Sequence, residues 1–251
     1  SEGCNQNCTF CRIPLIRGKL RSRPAAEVVQ EVRGLAQGGV REIQLVSQNT
    51  SDYGRDTGEN LLELVRRLHA ENNLLVIASN AQRLEQLTHE FPNVITCRAD
   101  LAQISEVEAA ASAARRRFGR IDVLINNAGY GPYGSVEEVP IEEARRQFEL
   151  NIFGLGRLTQ LVIPVMREQK SGRIVNISSM GGKIYTPFGA WYHATKHALE
   201  GWSDSLRLEL KQFGIDVVII EPGGIKTEFG DVMLEPLKER SGEGAYKEMV
   251  H

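Results

Sequence analysis

Six short runs recur through the chain and decide what it can fold into. They are REIQLVSQ (41–48), LLVIAS (74–79), VITCRA (94–99), IDVLIN (121–126), RIVNIS (173–178) and IDVVII (215–220). Each is apolar at nearly every position and rich in β-branched residues. A strand with one wet face alternates apolar and polar residues, whereas one covered on both faces need not. The runs therefore predict a mostly parallel sheet buried between helices. Helical periodicity fills the gaps. ENLLELVRRLHAE sets Leu61, Leu64, Val65 and Leu68 on one stripe. SEVEAAASAARRRFG offers a Ser cap, a Glu three residues later and a closing Gly. Two longer helices are expected over 142–169 and 189–213. RPAAEVVQEVRGLAQGG reads as another, with Pro24 near its start and Gly38-Gly39 at its end. Alternating strands and helices predict a doubly wound, three-layer α/β fold.

Composition removes several function classes. Apolar content is 41%, charged content 25%, and the net charge −2 in 251 residues. Those values are ordinary for a globular chain and show no global bias toward nucleic acid or anionic lipid. No apolar run reaches membrane-spanning length, and the start shows no secretory pattern, so a cytoplasmic, non-membrane protein is expected. Of four cysteines, Cys97 falls in an apolar run and reads as a small buried hydrophobe.

AWYHATKHALEG carries Tyr192 and Lys196, four apart and so on one helix face. An ammonium beside a phenol favours the phenolate and makes Tyr a useful general acid or base. Tyr-x-x-x-Lys alone is common by chance. Here it follows Ser179 at the end of RIVNISS, Asn151 in FELNIFG and Asn126-Asn127-Ala128-Gly129 after IDVLI, and EPGGIKTEF comes after the last run.

In that combination and order, residues 73 to about 230 resemble the short-chain dehydrogenase/reductase family, with its Rossmann-like sheet. The resemblance implies hydride exchange between NADP or NAD and a small alcohol or carbonyl substrate. Tyr192 would exchange the proton. Lys196 would lower the phenol's pKa and hold the nicotinamide ribose. Ser179 would bond the substrate oxygen, and Asn151 would hold a water. Asp100 would lie near the adenine, Asn127, Ala128 and Gly129 along the cofactor, and Pro222, Gly223 and Thr227 near the nicotinamide. Asn80, where the second strand ends without an acidic ribose partner, tilts the choice toward NADP. Two of these residues also have plain readings: Asn151 as a helix-kink residue and Thr227 as a helix cap. The long helices 142–169 and 189–213 are those the family uses for a homodimer.

One departure stands out. The family opens with a strand, a Thr-Gly-x-x-x-Gly-x-Gly turn and a helix whose N-terminus takes the pyrophosphate. The sequence contains no such string. In its place stands NTSDYGRDTGEN, whose Asp52, Asp56 and Glu59 repel a pyrophosphate and whose Gly54 and Gly58 are wrongly spaced. Weak or lost nicotinamide binding is expected.

The N-terminus has a different chemistry. Cys4, Cys8 and Cys11 are spaced C-x3-C-x2-C. Three thiolates can hold a [4Fe-4S] cluster with one iron open. Zinc or free thiols are the plain alternatives, but zinc prefers four ligands and no His or fourth Cys is near. With EGCNQNCTFCRIPLIRGKLRSRP and GVREIQLVSQNTSDYG, residues 1–71 resemble the radical S-adenosylmethionine methylthiotransferases of the ribosomal-protein branch. That resemblance implies S-adenosylmethionine on the open iron and a ribosomal or nucleic-acid partner. The basic run Arg12, Arg17, Lys19, Arg21 and Arg23 reads as a solvated loop or as such a contact surface.

The chain thus reads as a chimera, 1–72 and 73–251, packed as one continuous domain. The first fragment supplies strand 41–48 and a helix where the second lacks them. Strand order 3-2-1-4-5-6 follows, with 41–48 between 74–79 and 121–126. Three functions stand at this point: dehydrogenase/reductase, cluster-binding methylthiotransferase-like enzyme, and inactive scaffold.

Overall fold

The structure is a computed structural model, and it describes Ser22 and residues 24–37, 57–58, 74–91, 94–223 and 229–250. The strand expected at 41–48, the helix at 61–71, the three N-terminal cysteines and Thr227 lie outside the described residues. Two compact units emerge, Ser1–Leu74 with Phe91–Asn93, and Leu75–Glu90 with Val94–His251. In the first, helix α1 spans Ala25–Gln37, directly after Pro24.

The second unit alternates strand and helix. Its order is β1 (Leu74–Ala78, shared at Leu74), α2 (Ala81–Glu90), β2 (Val94–Arg98), α3 (Ile104–Phe118), β3 (Val123–Asn126), α4 (Ile141–Phe148) and α5 (Leu155–Gln169). Then follow β4 (Gly172–Ile177), α6 (Ala190–Leu210), β5 (Ile215–Ile220), α7 (Phe229–Ser241) and α8 (Lys247–Val250). All five runs from 74 onward are strands, and the fold is α/β. Among the described residues β1 pairs with β2, and β3, β4 and β5 form a second group in that order. The strand predicted to stand between β1 and β3 is the one at 41–48.

Within the second group the strands are parallel, with Leu124 level with Ile174 and Ile174 level with Val217. Those three point to one face, because side chains alternate along a strand. Helices α3, α5 and α6 cover it with Val107, Ala111, Leu158, Val162, Met166, Leu206 and Leu210. Met166 and Ile174 have no exposed surface. Each such side chain contributes roughly 1.5–3 kcal/mol by leaving water. The other face carries Val123, Ile125, Val218 and Ile220, all exposed. Gln169 fixes the start of β3 by bonding both the N–H and the carbonyl of Ile121.

Three local expectations are corrected. The helix expected over 142–169 is interrupted by a π-helical turn, Glu149–Gly154, which contains Asn151. Ser105 does not cap α3, whose N-cap is Gln103 with no side-chain bond. Glu106 instead reaches back to accept the Asp100 N–H at 2.7 Å, while Gly119 closes the helix in the left-handed region as expected. Cys97 is half-buried rather than buried. No helix among the described residues is long and apolar enough to cross a membrane.

Candidate active site

The site gathers at the C-terminal ends of β3, β4 and β5, where the strand ends and the start of α6 meet. Ser179 follows β4 in extended conformation, and its Oγ accepts the Gly181 N–H at 3.0 Å. That contact uses Oγ as an acceptor only, and the hydroxyl proton is directed elsewhere. Tyr192 and Lys196 lie one turn apart on α6, with Lys196 Nζ 5.9 Å from the centre of the tyrosine ring. The phenol ring is closely walled: a Cβ at Gly131 would overlap it, and one at Gly181 would sit 3.0 Å from its edge. Tyr133 and His193 stand against it at 6.1 and 5.8 Å between ring centres.

Electrostatics separate the two groups. Burial pushes the Tyr192 phenol above its ordinary pKa, a hydrogen bond with Ser179 pulls it down, and Tyr133 adds to the rise. Burial pulls the Lys196 ammonium from 10.5 to about 8, against the opposing pull of Glu200. Its Nζ donates to the Ile177 carbonyl at 2.8 Å, leaving two of its three N–H groups for a ligand. The phenol here is thus raised by burial rather than lowered by the ammonium.

Asn151 is tied on three sides. Its Oδ1 accepts the Tyr130 N–H at 3.2 Å, and its Nδ2 donates to the Tyr130 carbonyl at 3.0 Å and to Thr195 Oγ1 at 3.1 Å. The π turn brings it inward, since Gly154 passes so close to the Leu101 carbonyl that any Cβ would collide. The plain reading of Asn151 as a helix irregularity holds, and its side chain faces the Tyr130 backbone and α6.

The remaining predicted positions follow the C-terminal ends of β1, β2, β3 and β5. Asn127 and Ala128 are exposed after β3, and Gly129 is half-buried beside Asn151. Pro222 accepts the Met180 N–H through its carbonyl at 3.0 Å, placing Gly223 against the Met180 side chain. Asp100 accepts from Arg146 at 3.0 Å and from the Ala102 N–H at 3.0 Å. Burial opposes its charge, but these bonds outweigh it and lower its pKa. Asn80 caps α2, its Oδ1 accepting the Arg83 N–H at 3.0 Å.

Three residues escaped the sequence reading. Glu200 is buried one turn beyond Lys196, with Lys183 Nζ at 3.0 Å. Its i, i+4 spacing from Lys196 was the available signal. His193 and Tyr133 pack the phenol, and only the adjacency of His193 to Tyr192 hinted at it. Among the described residues no group of His, Cys, Asp and Glu could hold a metal ion.

The short chain dehydrogenase family model matches residues 62–236. The chain belongs to the short-chain dehydrogenase family. A second model, the Radical SAM superfamily, matches residues 1–101. Two family matches on one chain agree with a chimera, although both reach past the boundary expected near 72 and overlap over 62–101. An uncharacterized oxidoreductase of Schizosaccharomyces pombe is 40% identical over 150 residues, covering 60% of this chain and 62% of the relative. A short-chain dehydrogenase structure from Streptomyces avermitilis is 38% identical with TM-score 0.62, covering 65% of this chain and 60% of that one. The 3-ketoacyl-(acyl-carrier-protein) reductase of Brucella melitensis, complexed with NADH, is 28% identical with TM-score 0.64, covering 68% and 73%. This dehydrogenase-family chain thus spans less than two thirds of the first two relatives' length.

Proposed function

We propose that the chain is a nicotinamide-dependent oxidoreductase acting between a small alcohol and its carbonyl. One observation carries this: Tyr192 and Lys196 stand one turn apart on α6, and the Ser179 hydroxyl is directed at the Tyr192 phenol. When bound, the nicotinamide supplies or takes the hydride. Tyr192, held protonated at neutral pH by burial, delivers its proton to the carbonyl oxygen. Ser179 donates to the same oxygen, and two donors aimed there stabilise the charge that develops. Lys196, poised near 8, offers its two spare N–H groups to a ribose diol and supplies positive charge near the phenolate that forms. Asn151 keeps the Tyr130 carbonyl beside α6. The donor set suits the nicotinamide-ribose half of a dinucleotide, and an NADP preference is consistent with the absent acid at Asn80.

The test is calorimetric titration with NADPH and NADH, followed by turnover of a ketone panel. Binding with turnover that Tyr192→Phe abolishes supports the reading. Binding without turnover, or turnover unaffected by Tyr192→Phe, ends it.

A second reading draws on the Radical SAM match and the C-x3-C-x2-C spacing: residues 1–72 hold an iron–sulfur cluster. Anaerobic reconstitution with iron and sulfide should then give a visible charge-transfer band that a Cys4, Cys8 and Cys11 triple alanine variant lacks.

A further inference from the structure

His193 is buried beside the catalytic tyrosine, and both of its ring nitrogens are engaged. Nδ1 lies 2.9 Å from the Gly181 carbonyl oxygen. Nε2 accepts the Thr186 backbone N–H at 3.0 Å, with the Thr186 hydroxyl at the same distance. A carbonyl can only accept, so Nδ1 carries the proton. A backbone N–H can only donate, so Nε2 carries none. One neutral tautomer satisfies both partners. The ring is also enclosed: a Cβ at Gly189 would stand 2.7 Å from it, and one at Gly181 would stand 3.0 Å from Nδ1.

The two partners bracket the 181–186 loop, which leaves β4 through Ser179. Gly181 transmits the contact. Its carbonyl is held by His193, and its own N–H donates to Ser179 Oγ at 3.0 Å. Ser179 in turn bonds the Tyr192 phenol. The path His193–Gly181–Ser179–Tyr192 closes on itself, because Tyr192 and His193 are neighbours on α6.

We infer that His193, as the Nδ1–H tautomer, is the positioning residue that sets the Ser179 hydroxyl against the Tyr192 phenol through the Gly181 peptide. This deepens the oxidoreductase reading and uses its site. His193 touches neither substrate nor cofactor in this role. It fixes the direction of a donor, and a misplacement of about 1 Å at such a donor costs on the order of 10²-fold in rate.

Three substitutions separate its two bonds. His193→Asn places an amide N–H where Nδ1–H stood and keeps the Gly181 contact. His193→Gln reaches toward Thr186 and gives that contact up. His193→Phe fills the space and keeps neither.

The first measurement needs no turnover: the Tyr192 phenol is titrated by ring-carbon NMR in each variant. Loss of the Ser179 bond removes the influence that lowers this group, so His193→Phe and His193→Gln should titrate higher than wild type and His193→Asn should match it. An unchanged midpoint in His193→Phe overturns the proposal, as does an Nε2–H tautomer in the wild-type imidazole nitrogen spectrum. The second measurement is kinetic. In His193→Phe and His193→Gln, kcat should fall about tenfold or more, with the KM for reduced nicotinamide within about twofold of wild type. His193→Asn should recover most of the rate. Equal rates in all variants, or rescue by Gln instead of Asn, overturns it. Should His193→Phe fail to fold by circular dichroism, the Asn and Gln pair decides alone. A wild-type chain without turnover refutes the oxidoreductase reading, while the titration and the tautomer still judge His193.

Discussion

Asn151 grips the backbone of Tyr130 from both sides, its Oδ1 accepting the Tyr130 N–H at 3.2 Å and its Nδ2 donating to the Tyr130 carbonyl at 3.0 Å. One side-chain amide thereby stands in for a strand neighbour, holding the loop after β3 against the π turn. Removing it leaves the Tyr130 N–H short of a partner, while the Tyr130 carbonyl keeps Gln147 Nε2 at 3.2 Å and Thr195 keeps its bond to the Tyr192 carbonyl at 2.8 Å. Asn151→Ala should destabilise the chain by about 2 kcal/mol, since one buried unpaired group costs roughly 1–3. Asn151→Asp keeps the acceptor but turns an oxygen toward the Tyr130 carbonyl, so it should cost at least as much at neutral pH. Urea midpoints at constant m-value check both; an Asp variant as stable as wild type would sink this account.

Much of this was legible beforehand, and the exceptions share a cause. The five runs from residue 74 became strands because continuous β-branched stretches have few other ways to bury themselves. Ser179 and Tyr192 come together because one follows the end of β4 and the other lies near the start of α6, whereas Asn151 reaches them from the π turn between α4 and α5. Ser105 misled because a cap is chosen by where the chain enters the helix. Here Gln103 takes that place and Glu106 bonds Asp100. The π turn was illegible because its cause is distant: Gly154 lies under the Leu101 carbonyl, some fifty positions away. His193 was hidden for a related reason. Its partners, Gly181 and Thr186, belong to a loop whose path no periodicity reports.

Lys196 makes stability depend on pH in a definite direction. Burial lowers its pKa from 10.5 to about 8 in the folded chain. Between those values the unfolded chain holds a proton that the folded chain has released, so stability rises with pH across that window. Lys196→Met abolishes the effect. The stability of wild type minus variant should climb by about 3 kcal/mol between the two pH values. Glu200 opposes the shift, so Glu200→Gln should move the lower edge of the window below 8. Urea unfolding at stepped pH reads both, and a flat difference curve would count against the buried ammonium.

Two glycines with similar crowding should respond differently to alanine. At Gly154 the added Cβ runs into the backbone carbonyl of Leu101, which cannot swing aside. Gly154→Ala should lower stability by about 3 kcal/mol or more, at the upper end of overpacking costs. At Gly131 the Cβ meets the ring of Tyr192, a side chain that can tilt. Gly131→Ala should cost about 1 kcal/mol in stability yet reduce kcat by tenfold or more, because the displaced ring is the proposed proton donor. Parallel thermal melts and single-turnover rates distinguish them; equal losses of stability would contradict the assignment.

Beneath the site, a polar chain crosses the core. Asn126 Nδ2 donates to Asn176 Oδ1 at 2.8 Å and to Thr159 Oγ1 at 3.1 Å, and Asn176 Nδ2 donates to Ser203 Oγ at 2.8 Å. Asn176, Thr159 and Ser203 have no exposed surface and Asn126 very little. Asn126 and Asn176 lie at the same level of β3 and β4, so the network ties the strand ends that present Asn127 and Ser179. Such a network is costly when half broken. Asn176→Leu strands an amide N–H of Asn126 and should cost about 2–3 kcal/mol. Asn126→Leu strands the Asn176 carbonyl oxygen and should cost a similar amount. The double variant leaves only hydroxyls, and Thr159 already donates to the Leu155 carbonyl of its own helix at 2.9 Å. The double variant should therefore be less destabilised than the two single costs combined, by about 1–2 kcal/mol of coupling. Denaturant midpoints across the cycle supply the number. Strict additivity would mean that the two amides act independently, and that the strand ends are held in line by packing alone.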